Sequence, residues 1–408
     1  MKTRIMIAAV LQALTVAAST QAQTARDSAG IRIVDNPRPL WKPAEVLRLS
    51  DAPTLVVGYK ASPEYTFGRI RQVTRMSDGR IFVADGASMQ LRFFDARGVF
   101  LSAAAGKGEA PGQLRDMGLV RVLRGDTIAV GVGLSDGALF TPQGQYMRTL
   151  NTPRADGGGP PRAIMMDMLS NATRVMMPLS NPAPRAPGTE WTDSVNFSLV
   201  GTDHNVIRDL GRLPYMVFVQ ENAKSYTYPW LSSIAVTAAS AEHFYFGFGD
   251  RYAVNVYSPS GQLQSIFRRA WTPIPVTPAD WENWVVEWSK LWIKSTGDSA
   301  RKKMQELRDA PYAFTMPAFS QFIPDRIGRL WVREAHYQDA ISAGSLTDPP
   351  VVPSKWSVFA AKGVWLGDVT MPKDFQPYDI GADYVLGKQY VDGVSKVVQY
   401  ALIAGGKR

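Results

Sequence analysis

Four carboxylates, Asp85, Asp136, Asp250 and Glu334, fall in equivalent loops of a recurring strand-loop-strand pattern, with Arg251 and Arg333 beside two of them. Brought together from several loops, such groups could hold a hard cation, which needs several converging oxygen ligands. They could also divide acid and base work if their pKa values were pushed apart, or simply line a polar mouth that holds a ligand. The competing expectation is that each loop carboxylate is solvated and solitary. Two further chemistries are set aside. Only three histidines occur, His204, His243 and His336, and the register of the pattern puts the first two in turns at one end of the strands and the third in a loop at the other, which is wrong for a shared zinc. Cysteine is absent and there is no G-x-S-x-G elbow, so nucleophilic catalysis has less support. No catalytic residue and no metal ligand is assigned. No cofactor is expected, a hard cation such as Ca2+ in a central channel being the one alternative left open.

The element that must position these loops is clearest in residues 76–101, MSDGRIFVADGASMQLRFFDARGVFL. Asp78-Gly79 makes a tight turn, residues 80–84 alternate as a strand, 85–88 loop, and 90–94 form the next strand. Asp95-Ala96-Arg97-Gly98 then turns the chain into a third strand. An isolated meander of this size cannot bury its apolar faces, so neighbours are required.

They are found by aligning on the last turn. Gly98, Gly144, Gly261 and Gly363 each close a four-residue turn preceded by an aromatic residue: Phe94, Phe140, Tyr257 and Phe359. A fifth copy, Gly201-Thr202-Asp203-His204, carries histidine where the others have glycine, and this residue tolerates left-handed backbone better than most. Gly79, Gly125 and Glu242 open apolar strands at a constant distance upstream. Gly328 opens GRLWV earlier than that spacing, which predicts a longer loop between the second and third strands of its unit.

Six repeat units result, at about 66–106, 115–151, 163–213, 229–270, 315–371 and 375–403. The last lacks a strand and the candidates at 31–34 and 46–49 lack a sheet, so the N-terminal segment is expected to complete the final unit and leave no open edge.

The pattern MSDGRIFVADG, LRFFDARG and AGKGEAPGQL, with MPAFSQFIPDRIGRLWV and DYVLG further on, resembles the exported bacterial six-bladed β-propeller family related to NHL-repeat proteins. The resemblance implies an all-β fold, one six-bladed propeller over residues 23–408. It carries no shared catalytic signature. Where the family tends to have GPGEF, this chain has Ala110-Pro111-Gly112-Gln113-Leu114, and the third unit is the most degenerate.

Lys2 and Arg4, the apolar run 5–18 and Thr20-Gln21-Ala22 read as a secretory signal peptide over residues 1–22. No cysteine follows the run, so a lipoprotein anchor is not expected. A soluble periplasmic or secreted protein is. That compartment permits disulfides, yet no cysteine is present to form one, so stability must come from a core that 45% apolar residues can supply. The net charge of +9 is spread without a basic run or helix, so no nucleic-acid partner is expected.

Two stretches break the repeat. DGGGPPR at 156–162 reads as a connecting loop, since no P-loop lysine accompanies it. Residues 277–310 read as a helical insertion between the fourth and fifth units: Thr277 caps, Pro278 takes the first helical position and Asp280 suits the N-terminal dipole. Trp281, Trp284, Trp288 and Trp292 then form one stripe along the helix, expected to pack on the propeller rim, the alternatives being a lid, a partner-docking surface or a peripheral membrane contact. A second helix, about 298–309, is its solvated companion. The function expected is that of a monomeric binding or interaction module, holding a partner protein or a small polar, carbohydrate-like ligand at the loop-rich face. The alternative is a propeller lyase or lactonase-type hydrolase using the mouth carboxylates.

Overall fold

The computed structural model describes residues 23–405, apart from 59–61, 153–162, 180–181, 294–295, 337–351 and 392, and apart from the side chains of 291 and 292. The signal segment, the DGGGPPR loop and most of the long loop expected in the fifth unit lie outside the described residues.

Six sheets follow one another along the chain. The first contains Ile70–Arg75, Ile81–Asp85, Gln90–Phe94 and Phe100–Ala105, and the second Val120–Val122, Ile128–Val132, Asp136–Phe140 and Tyr146–Leu150. The third contains Ala163–Met168, Arg174–Pro178, Glu190–Val200, Val206–Asn222 and Ser225–Thr227; its last two strands carry it past residue 213, where the sequence pattern ended it. The fourth contains Val236–Ala239, Phe244–Gly247, Ala253–Tyr257 and Leu263–Arg269. Gln321–Pro324, Leu330–Arg333, Ser354–Phe359 and Trp365–Met371 make the fifth, and Phe375–Ile380, Tyr384–Val391 and Val394–Ala404 begin the sixth. These strands pair antiparallel in chain order.

The core is a set of seams between consecutive sheets. Phe82 and Phe93 of the first meet Val130 and Phe140 of the second, Leu139 and Leu150 of the second meet Met168 and Met176 of the third, and Phe197 of the third meets Phe246 of the fourth at 5.4 Å between ring centroids. Phe267 and Phe359 join the fourth to the fifth, and Trp356 and Phe375 the fifth to the sixth. Leu386 and Val397 of the sixth pack on Ile70 and Phe94 of the first. Each such side chain contributes about 1.5–3 kcal/mol on burial, and with no cysteine in the chain these seams hold the fold. Four-stranded antiparallel sheets packed face to face in this way make a β-propeller.

The turn glycines have a reason beyond turn geometry. Gly98, Gly144, Gly261 and Gly363 have φ of +81°, +83°, +80° and +82°, and His204 has +70° in the fifth copy. Each also lies against the preceding sheet: a Cβ would stand 2.5 Å from Ala104 at Gly144, 2.8 Å from Arg208 at Gly261 and 2.1 Å from Phe267 at Gly363. At Gly98 the neighbour is Val57 at 2.8 Å, on a strand added to the sixth sheet. Gly363→Ala, which combines left-handed strain with overpacking of a buried ring, is expected to lower stability by about 1–3 kcal/mol in urea denaturation. An unchanged midpoint would show that the seam at Phe267 relaxes freely.

The N-terminal segment departs in part from expectation. Leu47–Leu49 and Leu55–Val57 do add to Val394–Ala404 and complete the sixth sheet. Ile31–Asn36, however, does not reach that sheet. It pairs parallel with Leu263–Arg269 at the outer edge of the fourth sheet, and Thr24–Ser28 pairs with it in turn, giving six strands there. Between the two, Asn36 is 2% exposed and its amide donates to the carbonyls of Arg268 and Gly363, both at 2.9 Å, while Trp365 N–H donates to its Oδ1 at 2.8 Å. Leu40 and Trp41 continue onto Trp365 and Leu366. The segment is thus a belt across the outer edges of the fourth, fifth and sixth sheets. The sequence misplaced its first strand because period-two alternation says which residues form a strand but not which edge receives it.

Two helices lie between the fourth and fifth sheets, α1 (Pro278–Trp292) and α2 (Gly297–Arg308). Thr277 accepts from Asp280 N–H at 3.1 Å while Asp280 accepts from Thr277 N–H at 2.9 Å, a reciprocal cap. Among the described side chains of the stripe, Trp281 and Trp284 are 5% and 0% exposed and Trp288 is half-buried; Trp292 lies outside them. The stripe packs on Trp230, Leu231 and Tyr312, segments that lead into the fourth and fifth sheets. α2 buries no residue and is held to α1 by Arg308, whose Nη2 is 2.7 Å from Glu282.

Candidate functional site

The six singled-out residues were expected to line one polar mouth at the loop-rich face. They separate into different environments. Asp85 is 1% exposed and accepts from Arg69 N–H at 2.8 Å and Ser88 Oγ at 2.8 Å, with Arg92 Nη2 at 3.3 Å. It organises its own loop, neither solvated nor turned to a ligand. Asp136 accepts from Thr152 N–H at 2.9 Å and lies 3.9 Å from Arg115. Arg333 is buried, with Nη1 3.5 Å from Gln376 Oε1.

Glu334 belongs to a charged knot between the fourth and fifth sheets. Arg269 Nη1 lies 2.5 Å from Glu334 Oε1 and 3.8 Å from Asp368, and Lys355 Nζ lies 3.3 Å from Glu334 and 2.9 Å from Asp368. The Arg269 guanidinium is sandwiched between the rings of Tyr252 at 4.7 Å and Trp365 at 4.2 Å, a geometry that suits a planar, weakly hydrated cation. Burial works to strip its proton, but Tyr252, Glu334 and Asp368 outweigh burial and hold its pKa above the usual guanidinium value. The same burial pushes the Tyr252 hydroxyl well above the ordinary phenol range.

Asp250 and Arg251 remain, and they stand at a concavity. A cleft of about 1090 Å3 opens over one face of the fourth sheet, walled by Leu213 and Pro214 of the third. Its floor crosses five strands, from Phe246 through Asn255 and Ile266 to Asp35 and Thr24, and strand spacings of about 4.8 Å make that about 19 Å of trough. Phe246 and Phe248 lie beneath it, 3% and 6% exposed, and Trp271 is the lining aromatic that keeps exposed surface; Asp250, Arg251, Arg268 and Asp35 supply the polar rim. Arg251 and Asp250 are paired only loosely, at 3.9 Å, with side chains 79% and 52% exposed. Such a mixture of apolar floor and few polar groups is what ligand sites present. Asp35, Arg268 and Trp271 were not singled out from the sequence: the first is brought in by the misplaced N-terminal strand, and the others stand on and just beyond an outer strand with no loop signal.

The three histidines do not meet. His204 Nδ1 lies 3.1 Å from Arg174, and His243, lowered in pKa by burial against the opposing charge of Glu242, sits in the turn before Phe244–Gly247, its ring centroid 5.8 Å from that of Tyr245. Among the described residues no group of three or more histidine or carboxylate side chains could hold a metal ion, and no helix is long and apolar enough to cross a membrane.

No family model matches the chain, and no curated protein does. Solved structures do. A member of the DUF4221 family from Bacteroides vulgatus matches with a TM-score of 0.55 and 10% identity over 89% of this chain and 99% of its own. An exported protein of Bacteroides fragilis, so described without assigned function, gives 0.46 and 10% over 90% and 99%, and virginiamycin B lyase from Staphylococcus aureus gives 0.40 and 8% over 88% and 100%. At such identities the Bacteroides vulgatus likeness speaks to the fold alone.

Proposed function

We propose that this chain is an exported six-bladed β-propeller, kin to the NHL-repeat propellers, that binds an extended polar, carbohydrate-like ligand in the cleft over its fourth blade. The closed ring is supported by the apolar seam between the sixth sheet and the first and by Gly98 docking on Val57. Kinship rests on the repeated turn of Gly98, Gly144, Gly261 and Gly363, and export on the N-terminal signal pattern. The helices α1 and α2 are an insertion between blades four and five, and their buried stripe fits packing on the rim.

The observation that carries the function is the cleft itself. The partly exposed ring of Trp271 can stack against a sugar ring or other flat face, and the polar groups Asp250, Arg251, Arg268 and Asn255 can hydrogen-bond along the trough. Binding is favoured over catalysis because Asp85 and Glu334, two of the four candidate carboxylates, are committed to internal cations.

A glycan array of neutral and acidic oligosaccharides, probed with the mature protein and with the Trp271→Ala variant, tests this reading. Expected are hits that weaken at least tenfold in the variant while its circular dichroism spectrum shows the fold retained. No hit on the array, or hits that the variant leaves intact, would overturn it.

A further inference from the structure

The polar rim is not neutral. Arg269 faces the cleft edge but is matched by Glu334 and Asp368 and fixed between two rings, so it offers little to a ligand. On the open face Asp35 stands between two arginines, Arg26 and Arg268, each at 3.8 Å and each partly solvent-exposed. Those distances are ion pairs without hydrogen bonds. One carboxylate shared by two guanidinium groups leaves both forks largely unfilled. Arg251 adds a third cation against Asp250, again at 3.9 Å. Three arginines thus face two carboxylates.

Two of these cations stand on the wall of the same cleft. Arg268 is the cross-strand partner of Ala253, Arg251 lies two residues before Ala253 in the chain, and all three line the cleft. Guanidinium groups present rigid donor pairs suited to planar carboxylates. Trp271, which lines the same cleft and is partly exposed, would receive the face of the ring bearing that group. Resting on the cleft reading above, we propose that the ligand is acidic: a hexuronic acid oligomer whose carboxylates are held by Arg268 and Arg251, with Asp35 acting as an internal competitor for Arg268.

Titration calorimetry with tetragalacturonate and with its fully methyl-esterified form separates charge from shape, because the rings are the same and only the carboxylates are masked. The acid should bind at least tenfold tighter than the ester. Arg251→Gln/Arg268→Gln should remove that preference, and Asp35→Asn should tighten the acid by about threefold or more while leaving the ester unmoved. Salt should weaken the acid and not the ester. Equal affinity for acid and ester overturns the acidic assignment and leaves a neutral-glycan cleft standing. Absence of binding by the acid overturns it too, and array hits that the Trp271→Ala variant leaves intact separately overturn the cleft. Circular dichroism and urea midpoints of the three variants verify that any loss is local.

Discussion

Trp284→Ala should lower the unfolding free energy by about 3–5 kcal/mol, the usual loss when a fully buried aromatic is truncated. Its ring is 0% exposed and lies between Trp281, stacked at 4.8 Å with an 8° interplanar angle, and Trp230 at 4.9 Å, with Trp288 at 5.9 Å. Removing it empties the centre of this aromatic cluster. The indole N–H makes no hydrogen bond among the described residues, so Trp284→Phe deletes volume without orphaning a partner and should cost distinctly less. Urea denaturation of both variants measures the effect, and iodide quenching of tryptophan fluorescence reports access to the cluster. A Trp284→Ala protein of unchanged stability and strong quenching would return the stripe to the role of an opening lid or docking surface.

Asp85→Ala is the second large effect, and it concerns folding, not ligand binding. Arg92 is 5% exposed, and its guanidinium donates to Thr66 O at 2.6 Å and Ser88 Oγ at 3.1 Å. Burial lowers its pKa, with the Asp85 and Glu64 charges opposing the shift. Taking away Asp85 leaves a buried cation without its nearest anion, leaves Arg69 N–H without its side-chain acceptor, and leaves Ser88 Oγ only the main-chain carbonyl of residue 85 at 3.5 Å. Breaking such a pair costs about 3–5 kcal/mol, whereas replacing both members with apolar side chains is much cheaper. The double variant Asp85→Ala/Arg92→Leu should therefore recover a good part of the loss seen in Asp85→Ala. If Asp85→Ala instead keeps its urea midpoint and loses array binding, Asp85 faces a ligand after all.

These two residues mark what a linear reading can and cannot reach. The repeat was legible because each copy needs the same left-handed turn, and that need restricts the residue type to glycine or, at His204, to one of the few tolerated alternatives. The α1 stripe was legible because a 3.6-residue period places Trp281, Trp284 and Trp288 on one face whatever they touch. Cap residues Thr277 and Asp280 act within three positions of each other, so their partners are also written in the chain.

Partners from distant sheets were not. Asp85 reads as a loop carboxylate like Asp250, yet one is buried against Arg92 and the other stands at a cleft; the difference is made by Glu64, Thr66 and Arg69, which arrive from the segment entering the first sheet. Asn36 gave no signal, although it ties Arg268 to Gly363 across 95 residues of chain that include both helices. The cleft depends on a parallel pairing between Ile31–Asn36 and Leu263–Arg269, elements far apart in sequence. Local turn chemistry and periodicity are short-range terms and are fixed by neighbouring residues. Which edge a strand joins, and which charges then share a surface, follows from packing free energies summed over all the sheets, and only the tertiary structure decides them.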